Sequence, residues 1–367
     1  MKPLFIISCP VDTYSGYGAR SRDIVKAIIK SNKYEVKVLP QRWGNTPWGF
    51  IEDHQKDWGF LEPHLLKNNQ LPKQPEIWAQ ITVPNEFTPV GKFNIGITAG
   101  IETTVCAPQW IEGMNRMNIN FVSSEHAKQT FINSTFEQRE QNTNNLIKKI
   151  QIEKPIEVLF EGVNLDNYFP TNSIFDLNEV KESFAYLFMG HWMPGAIGED
   201  RKNVGLLVKT FYETFKNKKK TPALILKTSV SGASYMGREE IINRIHSIRS
   251  TVENARTLPN IYLLHGEFSD EEVNQLYNHK KIKAMISLTK GEGYGRPLAE
   301  FSLTKKPIIA TNWSGHLDFL HPEFTTLIKG ELKNVHPSAV VKDMILAESQ
   351  WFSPNTGEAS YYLREVF

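Results

Sequence analysis

Apolar runs of β type alternate with helix-like stretches along the whole chain, and this alternation limits the fold more than any other feature. In the first half the runs read as strands at Leu4–Ser8, Tyr34–Leu39, Ile77–Ile81, Phe93–Thr98, Ile119–Val122 and Ile156–Phe160. In the second half they fall at Ala185–Met189, Ala223–Lys227, Ile261–Leu264, Lys283–Leu288 and Pro307–Ala310. Strands joined through helices pair in parallel, and a parallel sheet is covered on both faces, so its strands are apolar throughout. The expectation is an α/β protein with doubly wound parallel sheets. A chain of 367 residues has room for two domains. A polar, proline-marked break at Asn167-Tyr-Phe-Pro-Thr-Asn172 sets them at 1–168 and 169–340, with a C-terminal segment 341–367. Further expectations are an exposed polar helix over 137–149 and an amphipathic pattern over 339–346.

The stretch Lys290-Gly-Glu-Gly-Tyr-Gly-Arg-Pro-Leu-Ala-Glu300 follows an apolar strand and precedes a helical pattern. Pro297 suits the first turn of that helix, where its missing N–H is not needed. Glycines let a ligand approach the backbone closely, and helix N–H groups suit phosphate. Carboxylates at both ends, Glu292 and Glu300, are unsuited to phosphate alone, because like charges repel. They fit a ligand with hydroxyls on both sides of its phosphates, since a carboxylate accepts strong hydrogen bonds from a diol. Spacing alone equally allows a loop acid and a solvated helix acid.

The pattern Glu-Gly-x-Gly-x-Pro-x-x-Glu, with the following Lys306-Pro-Ile-Ile-Ala-Thr311 and Ser314-Gly315, resembles the signature of family 4 glycosyltransferases. The resemblance implies a GT-B architecture, two Rossmann-like domains facing a central cleft. The N-terminal domain lies on the acceptor side, and the C-terminal domain binds a nucleotide sugar. It also implies that the last helices cross back onto the first domain. It assigns Glu300 to the ribose and Glu292 to the donor sugar, with Gly293, Tyr294 and Gly295 at the turn. The Phe188-Met-Gly190 strand end followed by Asp200-Arg-Lys-Asn203, expected to begin a helix, resembles the family's diphosphate element. This places Arg201 and Lys202 on the diphosphate; where the family often has arginine, this chain has His191. Lys227, closing a strand, is a further candidate for a phosphate oxygen.

Near the N-terminus, Tyr14-Ser-Gly-Tyr-Gly-Ala-Arg20 forms a glycine-rich strand-to-helix turn. A dinucleotide fingerprint needs a third glycine, here Ser21, and an acid after the second strand, here absent. NAD binding is therefore not expected. The turn reads either as structural or, by the resemblance, as a loop where Gly16 and Gly18 approach donor or acceptor. The family histidine after the fourth strand is missing, and Glu102 is the nearest polar candidate, with a catalytic role or that of a surface acid. Tryptophans such as Trp43, Trp48 and Trp58 offer an acceptor platform or partial burial.

Lys and Arg number 42 against 40 Asp and Glu, a net charge of +2, so no global basic excess demands a polyanionic partner. Two cysteines make no disulfide framework and fit a reducing compartment. No apolar run reaches membrane-spanning length and the N-terminal run is short for a signal peptide, so a cytoplasmic protein is expected. No Asp or His cluster has metal-ligand spacing, so neither metal nor cofactor is expected. The implied reaction is retaining transfer of a sugar from a nucleoside diphosphate donor to a hydroxyl. The stretch Pro84–Gly100 resembles transferases of tailed phages, which adds hydroxymethylated DNA to glycans as acceptor and implies the host cytoplasm. An epimerase of the same fold and a non-catalytic nucleotide-sugar-binding module are the alternatives.

Overall fold

The computed structural model describes residues 2–68, 70–230 and 232–367. The chain divides into two compact units, Met1–Glu161 and Gly162–Phe367. The first unit runs β1 (Leu4–Cys9), α1 (Gly16–Ser31), β2 (Glu35–Pro40), the short helices α2 (Phe50–Asp53) and α3 (Gln55–Trp58), β3 (Ile77–Ile81) and β4 (Phe93–Thr98). It continues with α4 (Pro108–Asn115), β5 (Ile119–Val122), α5 (Glu125–Asn133), β6 (Phe136–Arg139), β7 (Leu146–Ile150) and β8 (Ile156–Val158). The second runs β9 (Ala185–Met189), α6 (Val204–Phe215), β10 (Ala223–Lys227), α7 (Tyr235–Ser250), β11 (Ile261–Leu264), α8 (Asp270–Asn278) and β12 (Ile282–Ser287). It ends with α9 (Arg296–Ser302), β13 (Ile308–Thr311), β14 (Thr326–Ile328), β15 (Gly330–Asn334), β16 (Gln350–Pro354) and α10 (Thr356–Val366).

Each unit is built on a six-stranded parallel sheet. In the first, the order is β2-β1-β3-β4-β5-β8, so the direction of winding reverses between β1 and β3. In the second it is β11-β10-β9-β12-β13-β14, the doubly wound order of nucleotide-binding sheets, which reverses between β9 and β12. Loops leaving the carboxyl ends of β9 and β12 diverge to opposite faces of the sheet, and the gap between them is where such a sheet holds a ligand. Fully apolar strands such as Ala223-Leu-Ile-Leu226 are buried on both faces, as a helix-covered sheet requires. Cys9 and Cys106 are buried free thiols, each pushed up to about 12 by desolvation.

One expectation is corrected, the polar helix over 137–149. The division into units falls at Glu161/Gly162, and Tyr168, Leu177 and Val180 belong to a core of the second unit. The 137–149 stretch is not a helix but part of the antiparallel hairpin β6–β7. It has no apolar stripe to bury a helix face, and Asn144 takes the left-handed turn conformation at φ 56°. Within the 339–346 pattern Val341 pairs with Ile345 across a tight turn at Asp343, φ 59°. Finally, α10 docks on the helix layer of the second unit. Ala359 and Leu363 are fully buried in the core around Val208 and Phe211, and Tyr186 donates its hydroxyl to the Leu363 carbonyl at 2.7 Å.

Candidate functional site

The switch point of the second sheet gathers the charged side chains. Arg201 and Lys202 lie in the turn before α6, which begins only at Val204 because Asn203 adopts φ 59°. The glycine turn 291–295 leaves β12 opposite them. Lys202 Nζ lies 2.6 Å from both carboxylate oxygens of Glu292, and Arg201 stands 3.9 Å from one of them. The pair is largely buried, with side-chain exposures of 15% for Lys202 and 10% for Glu292. Burial by itself raises the Glu292 pKa, but Lys202 and Arg201 outweigh it and the net shift is downward. The carboxylate is therefore charged at neutral pH.

A second turn braces the first. Ser314 Oγ accepts from the Glu292 N–H at 2.9 Å, and the Gly315 N–H donates to the Glu292 carbonyl at 3.0 Å. The contact is so close that a Cβ on Gly315 would stand 2.2 Å from the Gly293 carbonyl oxygen. His316, fully buried, has Nε2 2.6 Å from the Thr311 carbonyl, and burial keeps its pKa below the ordinary value. Gly295 takes φ 97° at the start of α9, a conformation a side chain would strain. Tyr294 turns inward instead: its ring packs on Phe319 and its hydroxyl accepts from the Gly162 N–H at 3.2 Å.

Glu300 sits one turn into α9, buried, and accepts from Tyr277 Oη at 3.1 Å. Arg296 lies 3.8 Å from its other oxygen. Lys227, at the end of β10, donates to the Gly266 carbonyl at 2.6 Å and lies over the Phe268 ring. His191, next to the strand-ending Gly190, meets Ser229 Oγ at 3.0 Å. Its pKa is lowered, by desolvation and then by Lys202, Arg201 and Lys227. Lys202, Arg201 and Lys227 thus lie within electrostatic reach of one imidazole at the end of β9. Sequence reasoning missed Tyr277 and His316 as members of this site and treated His191 as a departure. Its position directly after the strand-ending glycine was the available signal. Among the described residues, no three of His, Cys, Asp and Glu gather as metal ligands.

In the first unit the glycine turn stands at the sheet's own switch point. Gly16 is open, whereas a Cβ on Gly18 would lie 2.3 Å from the Thr13 carbonyl oxygen. Tyr17 stacks on Trp43 with ring centroids 3.9 Å apart, and its hydroxyl is 3.0 Å from Thr98 Oγ1 and accepts from the Ala99 N–H. Burial raises its pKa to about 12, with a smaller push from Glu102, so that carboxylate lies within electrostatic reach. Arg20 is buried against Glu161 at 3.2 Å and donates to the Leu159 carbonyl. Arg22 donates to the Val11 and Thr13 carbonyls and lies over the Phe50 ring.

The chain matches no family model and no curated protein sequence. Its fold is that of GT-B glycosyltransferases. It is similar to a glycosyltransferase from Rickettsia africae ESF-5, with a TM-score of 0.57 and 15% identity over 89% of this chain and 84% of that one. It is similar to sucrose-phosphate synthase from Thermosynechococcus elongatus, with a TM-score of 0.57 and 9% identity over 100% of this chain and 90% of that one. HepE of Anabaena in complex with UDP-glucose gives a TM-score of 0.54 and 14% identity, over 89% of this chain and 85% of that one. No helix among the described residues is long and apolar enough to cross a membrane.

Proposed function

We propose that this protein is a retaining glycosyltransferase, of the family 4 type, that moves a sugar from a nucleoside diphosphate donor to a hydroxyl acceptor. The observation that carries the reading is the Lys202–Glu292 pair at the switch point of a nucleotide-type sheet, with Arg201, Lys227 and His191 around it. A diphosphate entering there competes with Glu292 for Lys202 and Arg201. As the cations turn to phosphate, the Glu292 carboxylate is released to accept from hydroxyls of the donor sugar. Glu300 takes the ribose hydroxyls, and N–H groups of the 293–295 turn approach the diphosphate. Catalysis then rests on stabilising the leaving diphosphate by preplaced charge. A leaving phosphate oxygen takes the acceptor proton as the new glycosidic bond forms. The UDP-glucose held by HepE supports a UDP-sugar as the first donor to try.

In the first unit the open Gly16 and its turn with Gly18 approach donor or acceptor, and Glu102 is the candidate for touching the sugar or the acceptor hydroxyl. A glycan is the first acceptor to try, with hydroxymethylated DNA as the second. The exposed Trp48 offers a face on which a sugar ring packs, and Arg42, which lies over that ring, offers a cation for a phosphate. The test is donor turnover by wild type, Glu292→Ala and Glu300→Ala, with acceptors identified by mass spectrometry. Near-normal rates in both variants remove the assignment. Conversion of donor without acceptor moves the protein to the epimerases, and binding without turnover makes it a nucleotide-sugar-binding module.

A further inference from the structure

We infer that Tyr277 is a positioning residue that sets the recognition of the nucleotide's ribose by holding the Glu300 carboxylate. The inference rests on the nucleotide-sugar reading above and adds a residue to it. Tyr277 lies near the end of α8, a helix fixed at its start by a reciprocal cap between Ser269 and Glu272. Its ring is fully buried, with the Phe301 ring edge-on at 5.5 Å on one side and the Tyr168 ring at 6.2 Å on another. The hydroxyl has two acceptors in reach, Glu300 Oε2 at 3.1 Å and Met189 Sδ at 3.0 Å. A phenol carries one proton, and a carboxylate accepts far better than a thioether, so the proton goes to Glu300. Tyr168 reinforces the arrangement from behind, donating to Asp270 at 2.9 Å.

The consequence is a carboxylate with one oxygen pinned from the core. A glutamate side chain has three torsions, and the Tyr277 bond restricts them before any ligand arrives, so binding a diol costs less ordering of the acid. Met189, the last residue of β9, touches the same hydroxyl, which ties ribose recognition to the strand end that leads into Gly190 and His191.

The experiment measures binding of UDP, ADP and GDP and of their 2′,3′-dideoxy forms to the full chain by calorimetry. The wild type is expected to prefer the ribo form of its nucleotide by about tenfold or more, the worth of bonds to a charged acceptor. Tyr277→Phe, which removes only the hydroxyl, is expected to weaken the ribo form and leave the dideoxy form unchanged, so the ratio collapses toward one. Equal weakening of both forms marks a merely structural role and overturns the inference, as does an unchanged ratio. Glu300→Asp is a second variant, acting on the buried acid itself and leaving the phenol in place. It keeps the charge but draws it one methylene away from Tyr277, and the ratio is again expected to collapse. A retained ratio there also counts against the inference. If no nucleotide binds the wild type, the nucleotide-sugar reading fails and takes this inference with it. If one binds but the ratio survives in the variants, this inference alone is lost.

Discussion

Lys202 holds both carboxylate oxygens of Glu292 at 2.6 Å across the switch point of the second sheet, joining the loop after β9 to the loop after β12. Removing one partner strands the other in a largely desolvated place. Lys202→Met is expected to cost up to about 3 kcal/mol, the low end for a broken buried pair because the ammonium keeps some water. The double variant Lys202→Met with Glu292→Gln is expected to recover most of it. Denaturant unfolding of the four proteins of this cycle checks the prediction; equal losses in single and double variants refute it.

The same pair sets an acid limit. The Glu292 pKa is lowered below its usual 4.5 in the folded state. A depressed carboxyl contributes stability that is present above the unfolded value and is lost as pH falls through the folded one. The melting temperature of the wild type is therefore expected to drop as pH falls below about 4.5, with a smaller drop in Glu292→Gln. Parallel curves for the two proteins would show that the pair does not couple to folding.

Asp200, two residues before Lys202, behaves in the opposite sense. Burial raises its pKa to about 6, against backbone N–H groups of Val204, Asn203 and Gly205 that lower it. The folded state then keeps the proton up to about 6, while the unfolded chain releases it near 3.8. Stability falls as pH rises through that window, and above it a buried charge is carried at a cost. Asp200→Asn retains an acceptor oxygen for the Val204 N–H and is expected to melt higher than wild type at pH 7–8, the gain fading in acid. A variant less stable at pH 8 would contradict this.

Two glycines in one turn separate a structural need from an open position. An alanine at Gly18 would drive its Cβ to 2.3 Å from the Thr13 carbonyl oxygen, a backbone atom that cannot move cheaply. Gly18→Ala is expected to cost about 1–3 kcal/mol in first-unit stability. Gly16, at the start of α1, has nothing within 4 Å of where an alanine methyl would stand, so Gly16→Ala is expected to unfold like wild type. Unfolding curves of equal midpoint for both variants would show that the tight packing at Gly18 is illusory.

Strands buried on both faces were legible because nothing but apolar residues serves there. Ala185–Met189 and Ala223–Lys227 have the expected bounds, and so do the less deeply buried Ile77–Ile81, Phe93–Thr98 and Ile261–Leu264. The β6–β7 hairpin was not, since its strands are exposed and neither the polar β6 nor Leu146-Ile-Lys-Lys-Ile150 alternates apolar with polar. Arg201, Lys202 and Glu292 could be singled out, yet their mutual ion pair could not, because it depends on which two loops the strand order brings together. Tyr277 was invisible for the same reason. It reads as an apolar position of α8, and only packing directs its hydroxyl at Glu300.

The C-terminal helix supplies the last prediction. Leu363 and Ala359 fill the core beside α6, Thr214 donates to Ser360 at 2.9 Å, and Phe215 meets Phe367 edge-on at 5.7 Å. Loss of a buried leucine side chain costs about 2–5 kcal/mol, and loss of the whole helix also orphans the buried Tyr186 hydroxyl. Leu363→Ala is therefore expected to destabilise the second unit by that amount, and a chain ending at Asn355 is expected to lose it altogether. Limited proteolysis with mass spectrometry reads which unit becomes cleavable. Cleavage within 162–355 fits the observed docking. Cleavage confined to 1–161 would instead mean that the helix serves the first unit, as the family resemblance implied, and that its packing on α6 contributes little.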